Sequence, residues 1–271
     1  MKFLEFSLSS ELNDLKKFES LNQKEKSIVF YSENQNSMFI FKSLIDELIN
    51  IHNLNICYVT SSKDEQILNE SNEKIKTFCI GEGSARTKFF LNLKADILIM
   101  TMPDLETFHI KRSKIYPVHY AYFFHAMVST HLVYRKNAFD HFDSIFCVGE
   151  YQINEIKSAE KNYNLKPKNL IRCGYTHLDN LIKKNTIEYE SKKNNDKQTQ
   201  ILLAPSWGKN GLFETNIEEI IEIILNSDYK VVLRPHPMSF KLSQKKIKSI
   251  DKKFSSNSNF KLEVDLSDFN S

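Results

Sequence analysis

The chain has 271 residues, of which 41% are hydrophobic and 26% charged, and its formal net charge is +3. This length suits one large domain or two ordinary ones, and the apolar content excludes a disordered chain. A charge so close to balance carries no electrostatic footprint for nucleic acid. In chain order, the first strand is predicted at Ser27–Tyr31. The helix Met38–Ile51 follows, with Phe39, Ile40, Leu44, Ile45, Leu48 and Ile49 on one face. Further strands are predicted at Asn55–Thr60, Lys76–Ile80, Asp96–Met100, His119–Phe124, Ser144–Val148 and Asn169–Cys173, and helices at Ser84–Leu93 and Gly149–Asn162. Runs such as Asp96-Ile-Leu-Ile-Met100 are apolar on both faces, as in parallel strands covered by helices. The alternation predicts a doubly wound α/β sheet.

Lys183–Gln200 interrupts that pattern with Lys, Asn and Glu and few apolar residues, and reads as an interdomain linker. The alternation then restarts: strand Gln200–Pro205, a loop with Gly208 and Gly211, helix Asn216–Leu225, strand Tyr229–Leu233, a Lys-rich helix and strand Phe260–Val264. The domain reading is therefore 1–183, a linker 184–199, and 200–271. Three strands and two helices are few for an open α/β sheet, so the second domain is expected to be incomplete.

Cys57, Cys79, Cys147 and Cys173 are scattered within or beside apolar runs, without metal-ligand spacing, and read as core residues of a reducing compartment. No run reaches the ~20 apolar residues of a membrane span, and the N-terminus is not a signal peptide. A cytoplasmic location is the resulting expectation. The runs Lys183-Lys184, Lys192-Lys193 and Lys245–Lys253 read as solvated faces, with weak attraction to anionic lipid or a polyanionic product as the alternative. His119, His131 and His141 match no helix-borne metal pair and read as ordinary polar residues. Gly81-Glu82-Gly83 lacks the third glycine of a dinucleotide fingerprint, and neither a Walker lysine motif nor a Gly-x-Ser-x-Gly elbow occurs. No metal and no cofactor is expected.

The sharpest local signal is Arg234-Pro235-His236-Pro237, directly after an apolar strand. Ligands of open α/β sheets bind at strand carboxyl ends, two prolines fix the backbone around the imidazole, and Arg234 suits a phosphate. The plain alternative is a Pro-punctuated turn. His125, at the end of Phe123-Phe124, suits a general base for a hydroxyl, or merely a strand cap. Ser206, Trp207 and Gly208 close another strand and suit a phosphate cradle or a simple turn. Gly174-Tyr175 with Asp179 closes the seventh strand, where Asp179 suits a ligand hydrogen bond or a helix cap.

Taken in order, these pieces resemble the CDP-glycerol glycerophosphotransferase family, the enzymes of teichoic-acid-type surface polymers. The matching residues are Phe124-His125 with Ser129, Asp140–Tyr151, Gly174-Tyr175 with Asp179, Leu203–Trp207 and Arg234–Pro237, with Ile28–Glu33 at the start. The resemblance implies a GT-B-like fold of two Rossmann-like domains, acceptor toward the first and nucleotide donor toward the second. It implies that His125 is the base toward the acceptor hydroxyl, and that His236 contacts the donor diphosphate. Arg234, Ser206, Trp207, Gly208, Gly174, Tyr175 and Asp179 are then donor-binding, and Ser129 and Glu33 lie on the acceptor side. The implied partners are a CDP-linked donor, as substrate, and a polymer or lipid-linked acceptor met at the inner face of the membrane. Ala126-Met127 stand where the family commonly has Gly-Thr, which points to a different acceptor geometry or a different substrate. A nucleotide-sugar glycosyltransferase, an enzyme like UDP-N-acetylglucosamine 2-epimerase, and an inactive binding protein are the alternative readings.

Overall fold

The computed structural model describes residues 2–33, 38–191 and 198–263, with side chains from 10–33, 38–183 and 198–263. It separates into two compact units, Met1–Lys183 and Lys184–Ser271.

In the first unit, seven strands form one parallel sheet: β1 (Ile28–Ser32), β2 (Ile56–Thr60), β3 (Ile75–Cys79), β4 (Ile97–Met100), β5 (His119–Phe123), β6 (Ser144–Cys147) and β7 (Asn169–Arg172). Their order is β3-β2-β1-β4-β5-β6-β7. The helices are α1 (Lys2–Ser20), α2 (Met38–Asn50), α3 (Ser84–Asn92), the short α4 (Thr130–Val133), α5 (Glu150–Tyr163) and α6 (Thr176–Ser191). Side chains alternate across a strand, which sorts the core into two layers. Val29, Tyr31, Cys57, Val59, Leu98 and Met100 pack with Leu15 and Phe18 of α1, Phe89 and Phe90 of α3, and Ile153 and Ile156 of α5. Phe30, Ile56, Tyr58 and Ile99 pack on Phe41, Ile45 and Ile49 of α2. Each such buried Leu, Ile or Phe contributes about 1.5–3 kcal/mol. The chain builds outward from β1 to β3, then crosses to β4 on the other side of β1. In open α/β sheets, ligands bind outside the carboxyl ends of the strands at such a reversal, here β1 and β4.

Two helices of this unit, α1 and α6, depart most from the sequence reading. Helix α1 was not anticipated: it packs Phe18 edge-on against Phe78 (5.5 Å) and Phe89 (5.2 Å). Its narrow stripe of Leu12, Leu15 and Phe18 lies among charged and polar residues. Helix α6 runs on to Ser191, through half of the segment expected as linker. A Lys- and Glu-rich stretch is a competent helix former even without an apolar face.

In the second unit, β8 (Gln200–Leu203), β9 (Lys230–Leu233) and β10 (Phe260–Leu262) form a parallel sheet in the order β10-β9-β8. It is covered by α7 (Ile217–Asn226) and α9 (Gln244–Phe254), with α8 (Pro237–Leu242) leading into the latter. The core is Phe213, Ile217, Ile221, Val231, Leu233, Ile247, Ile250, Phe254 and Phe260. The predicted Lys-rich helix is two helices, divided at Ser243. Helix α9 buries Ile247, Ile250 and Phe254, and its Lys253 pairs with Glu218 (3.2 Å) and Glu222 (2.7 Å) of α7.

Cys57 and Cys147 are buried and Cys79 and Cys173 half-buried, all as free thiols. Burial pushes the thiols of Cys57 and Cys147 up to about 12. No described helix is long and apolar enough to cross a membrane.

Candidate functional site

In the first unit the polar groups collect at the carboxyl ends of β5, β6 and β7. Phe124 is fully buried, its ring 4.8 Å from Tyr122 and 5.3 Å from Phe139. This aromatic cluster anchors the backbone just before His125. The carbonyl of His125 accepts a hydrogen bond from Tyr175 Oη at 2.9 Å. The imidazole is open to solvent but set among dense protein, and this desolvation lowers its pKa. It is therefore neutral, and able to take up a proton, at neutral pH.

After His125 the chain turns into α4. Ser129 caps that helix, accepting from Leu132 N (3.4 Å), and donates to Glu155 Oε1 of α5 (2.9 Å). Thr130 donates to Glu155 Oε2 from its backbone N (2.5 Å) and its Oγ1 (2.7 Å). Burial raises the Glu155 pKa, but the Thr130 and Ser129 hydrogen bonds and nearby His131 outweigh it, and the net shift is downward. Gln152, fully buried, donates to Val128 O (3.0 Å) and accepts from Val148 N (2.9 Å). Gln152 and Glu155 thus hold three consecutive residues, Val128, Ser129 and Thr130, shortly after His125. Neither was predicted, since each reads in sequence as an ordinary polar residue of an amphipathic helix.

Gly174 has φ +73°, the left-handed region, and lets the chain turn from β7 into α6. Tyr175 follows, and Asp179 lies exposed in the first turn of α6. The structure thus puts Gly174, Tyr175 and Asp179 in the same unit as His125. Glu33, just after β1, lies 3.8 Å from Arg86 Nη1. Burial raises its pKa, Arg86 pulls it down and Glu82 pushes it up; the net shift is upward.

In the second unit the groups sit at the carboxyl ends of β8 and β9. Arg234 N donates to Leu203 O (2.8 Å), and its Nε donates to Glu263 Oε2 (2.5 Å). This ion pair holds the Glu263 carboxyl below its usual range. His236 is the N-cap of α8: its Nδ1 accepts from Met238 N at 3.0 Å, and Pro237 occupies the first helical position. An Nδ1 that accepts must be unprotonated, which puts the ring proton on Nε2. Trp207 lies with its ring 6.1 Å from that of His236. Ser206 is exposed, and Gly208 has φ +130°, a conformation side chains rarely adopt. Gly211 N closes the loop onto Gly208 O (2.8 Å). Among the described residues no group of three or more His, Cys, Asp or Glu is arranged to hold a metal.

Residues 15–262 match the model of the CDP-glycerol:poly(glycerophosphate) glycerophosphotransferase family. The chain belongs to that family. No curated protein sequence matches it significantly. Among solved structures, it resembles UDP-GlcNAc 2-epimerase from Methanocaldococcus jannaschii, with a TM-score of 0.54 and 16% identity over 90% of this chain and 75% of that one. It also resembles the wall teichoic acid polymerase TagF soaked with CDPG, with a TM-score of 0.51 and 12% identity over 99% of this chain and 68% of that one. UDP-N-acetylglucosamine 2-epimerase from Rickettsia bellii gives a TM-score of 0.56 at 10% identity, over 90% and 71% of the two chains. At these identities the likeness establishes the fold class, a GT-B-like α/β protein. The family match adds a transferase of the teichoic-acid type, with a nucleotide-linked donor and a polymer acceptor.

Proposed function

We propose that this chain transfers glycerol phosphate from CDP-glycerol to a hydroxyl of a surface-polymer acceptor. In the proposed step the acceptor oxygen attacks the β-phosphorus of the donor. A new phosphodiester forms, the bond to CMP breaks, and the hydroxyl proton passes to the neutral imidazole of His125. His236 donates from Nε2 to a phosphate oxygen of the donor, and Arg234 adds positive charge as the leaving phosphate develops its own. Charge build-up on the phosphate oxygens is the part of phosphoryl transfer that a protein stabilises best, and the step needs no nucleophilic side chain. Ser206, Trp207 and Gly208 belong to the donor side, while Ser129 and Glu33 support the acceptor side. Gly174, Tyr175 and Asp179 are kept as donor contacts in this reading, with Tyr175 also steadying the His125 backbone.

The observation that carries the reading is the fixed tautomer of His236, which presents an N–H donor at a strand carboxyl end, beside Arg234. The lowered pKa of His125 supports its role as a base. The chain would act in the cytoplasm, where a lipid-linked acceptor is met at the inner membrane face. The test is transfer of labelled glycerol phosphate from CDP-glycerol. His125→Ala and His236→Ala should each abolish transfer while the protein stays folded; full turnover in either variant would remove the assigned role.

A further inference from the structure

Strands β1 and β8 hold the same place in their units. Each begins a run of parallel strands that builds to one side, β1-β2-β3 and β8-β9-β10. The other edge of β1 is taken by β4, from Ile28↔Ile97 to Tyr31↔Met100, and Val29, Phe30 and Tyr31 are fully buried. Among the described residues β8 pairs with β9 alone, and Leu202 is 50% exposed. Lys230 N and Arg234 N donate to Thr199 O and Leu203 O, so alternate residues of β8 face β9. The backbone N–H and C=O of Gln200 and Leu202 therefore point off the open edge. Exposed sheet edges are normally guarded by charge. The other edge strands are: Lys76 lies on β3, Arg172 on β7 and Lys261 on β10. Strand β8, Gln200-Ile-Leu-Leu203, carries no charge.

Helix α7 extends the same surface. Its Glu218 and Glu222 meet Lys253 of α9, the helix that crosses between β9 and β10. Helical spacing puts Ile220 and Ile223 on the opposite flank, above the open edge of β8, and Ile223 is 58% exposed. Edge and flank are both apolar, with Glu218 and Glu222 turned away. A surface without charges to repel its own image suits isologous pairing. We propose that this face of the second unit binds a second copy of this chain, β8 against β8 in antiparallel pairing about a two-fold axis at Leu202. The axis runs normal to the sheet, so both helix layers stay on one face. Leu202 then exchanges both backbone hydrogen bonds with its counterpart, and Ile201 stands opposite Leu203 on the helix-covered face. Ile223 meets the facing α7, and the two sheets join into one. The pairing does not depend on the reaction proposed above.

The test is sedimentation equilibrium of the full chain across micromolar concentrations, with hydrogen exchange followed at the amides of β8. The mass should rise toward twice that of one chain, and the Leu202 amide should exchange more slowly as it does. Leu202→Lys sets two like charges face to face across the axis, and Ile223→Lys removes the apolar flank. Each should weaken dimerisation about tenfold or more. Both positions are exposed in the single chain, so both variants should keep its Tm at concentrations where the unaltered chain is monomeric. Lys261→Ala, on the far edge of the same sheet, should leave the dimer unchanged. A mass of one chain at every concentration would overturn the proposal and leave the edge to a strand of other origin. A dimer that Leu202→Lys and Ile223→Lys both leave intact would overturn it as well.

Discussion

Replacing His236 by Asn or by Ala separates the observed job of this ring from the proposed one. Its Nδ1 caps α8 by accepting from Met238 N at 3.0 Å, while in the proposed step its Nε2 carries the proton offered to the donor phosphate. Ala removes both. Losing an N-cap acceptor costs about 0.5–2 kcal/mol, and for a domain of roughly 60–100 residues each kcal/mol lowers Tm by about 4–8 °C. Asn is itself a preferred N-cap, so His236→Asn should melt within a few degrees of the unaltered protein. The short Asn side chain cannot place a donor where Nε2 sits, so transfer should fall about 10²–10³-fold. The assay pairs thermal denaturation, followed by circular dichroism, with transfer from labelled CDP-glycerol. Normal turnover by His236→Asn would show that the ring is only a cap. If His236→Asn were as unstable as His236→Ala, the capping geometry itself would be wrong.

The lowered pKa of His125 sets the acid side of the pH profile: the base must be neutral, so kcat/KM should fall as pH drops through a midpoint below the ordinary value of 6.5. A midpoint above 6.5 in the pH–rate profile would contradict the desolvated setting. Gly174→Ala meets no atom within 4 Å but must adopt φ +73°, so denaturant titration should show a loss of about 1–2 kcal/mol. Glu155→Ala strips acceptors from Ser129 and Thr130 and should cost about 1–3 kcal/mol in the same titration. The Glu155 carboxyl has a lowered pKa, so its contribution to stability should be present above the unfolded-state value and be lost as pH falls through the folded-state one. Equal acid sensitivity in the unaltered protein and the Ala variant would refute that link.

The parallel sheet was legible because its central strands are apolar on both faces: Asp96–Met100 and Ser27–Tyr31 read as strands without their neighbours, and the structure has them at Ile97–Met100 and Ile28–Ser32. Strand order was not, since it depends on which helix packs on which face. Helix α1 was missed because Leu12, Leu15 and Phe18 give only one narrow stripe. Helix α6 was missed because a polar helix and a polar linker share a composition. At the candidate site, His125, Arg234 and His236 were legible from their place after apolar strands. The contact of Tyr175 with the His125 carbonyl spans fifty positions in the chain and appears only once β5, β6 and β7 pair. The prolines around His236 were read as fixing its backbone, whereas the cap made by its Nδ1 appears only in the folded chain.

Donor choice decides between glycerophosphate transfer and the sugar-nucleotide chemistry of the epimerases that share the fold. The deciding measurement is a competition in which the full chain is titrated with CDP-glycerol, UDP-N-acetylglucosamine and CMP, with release of CMP followed in the presence of a glycerol phosphate polymer. The expected result is preferential binding of CDP-glycerol and acceptor-dependent release of CMP. Preference for the UDP-sugar, or CDP-glycerol bound without any release of CMP, would contradict it.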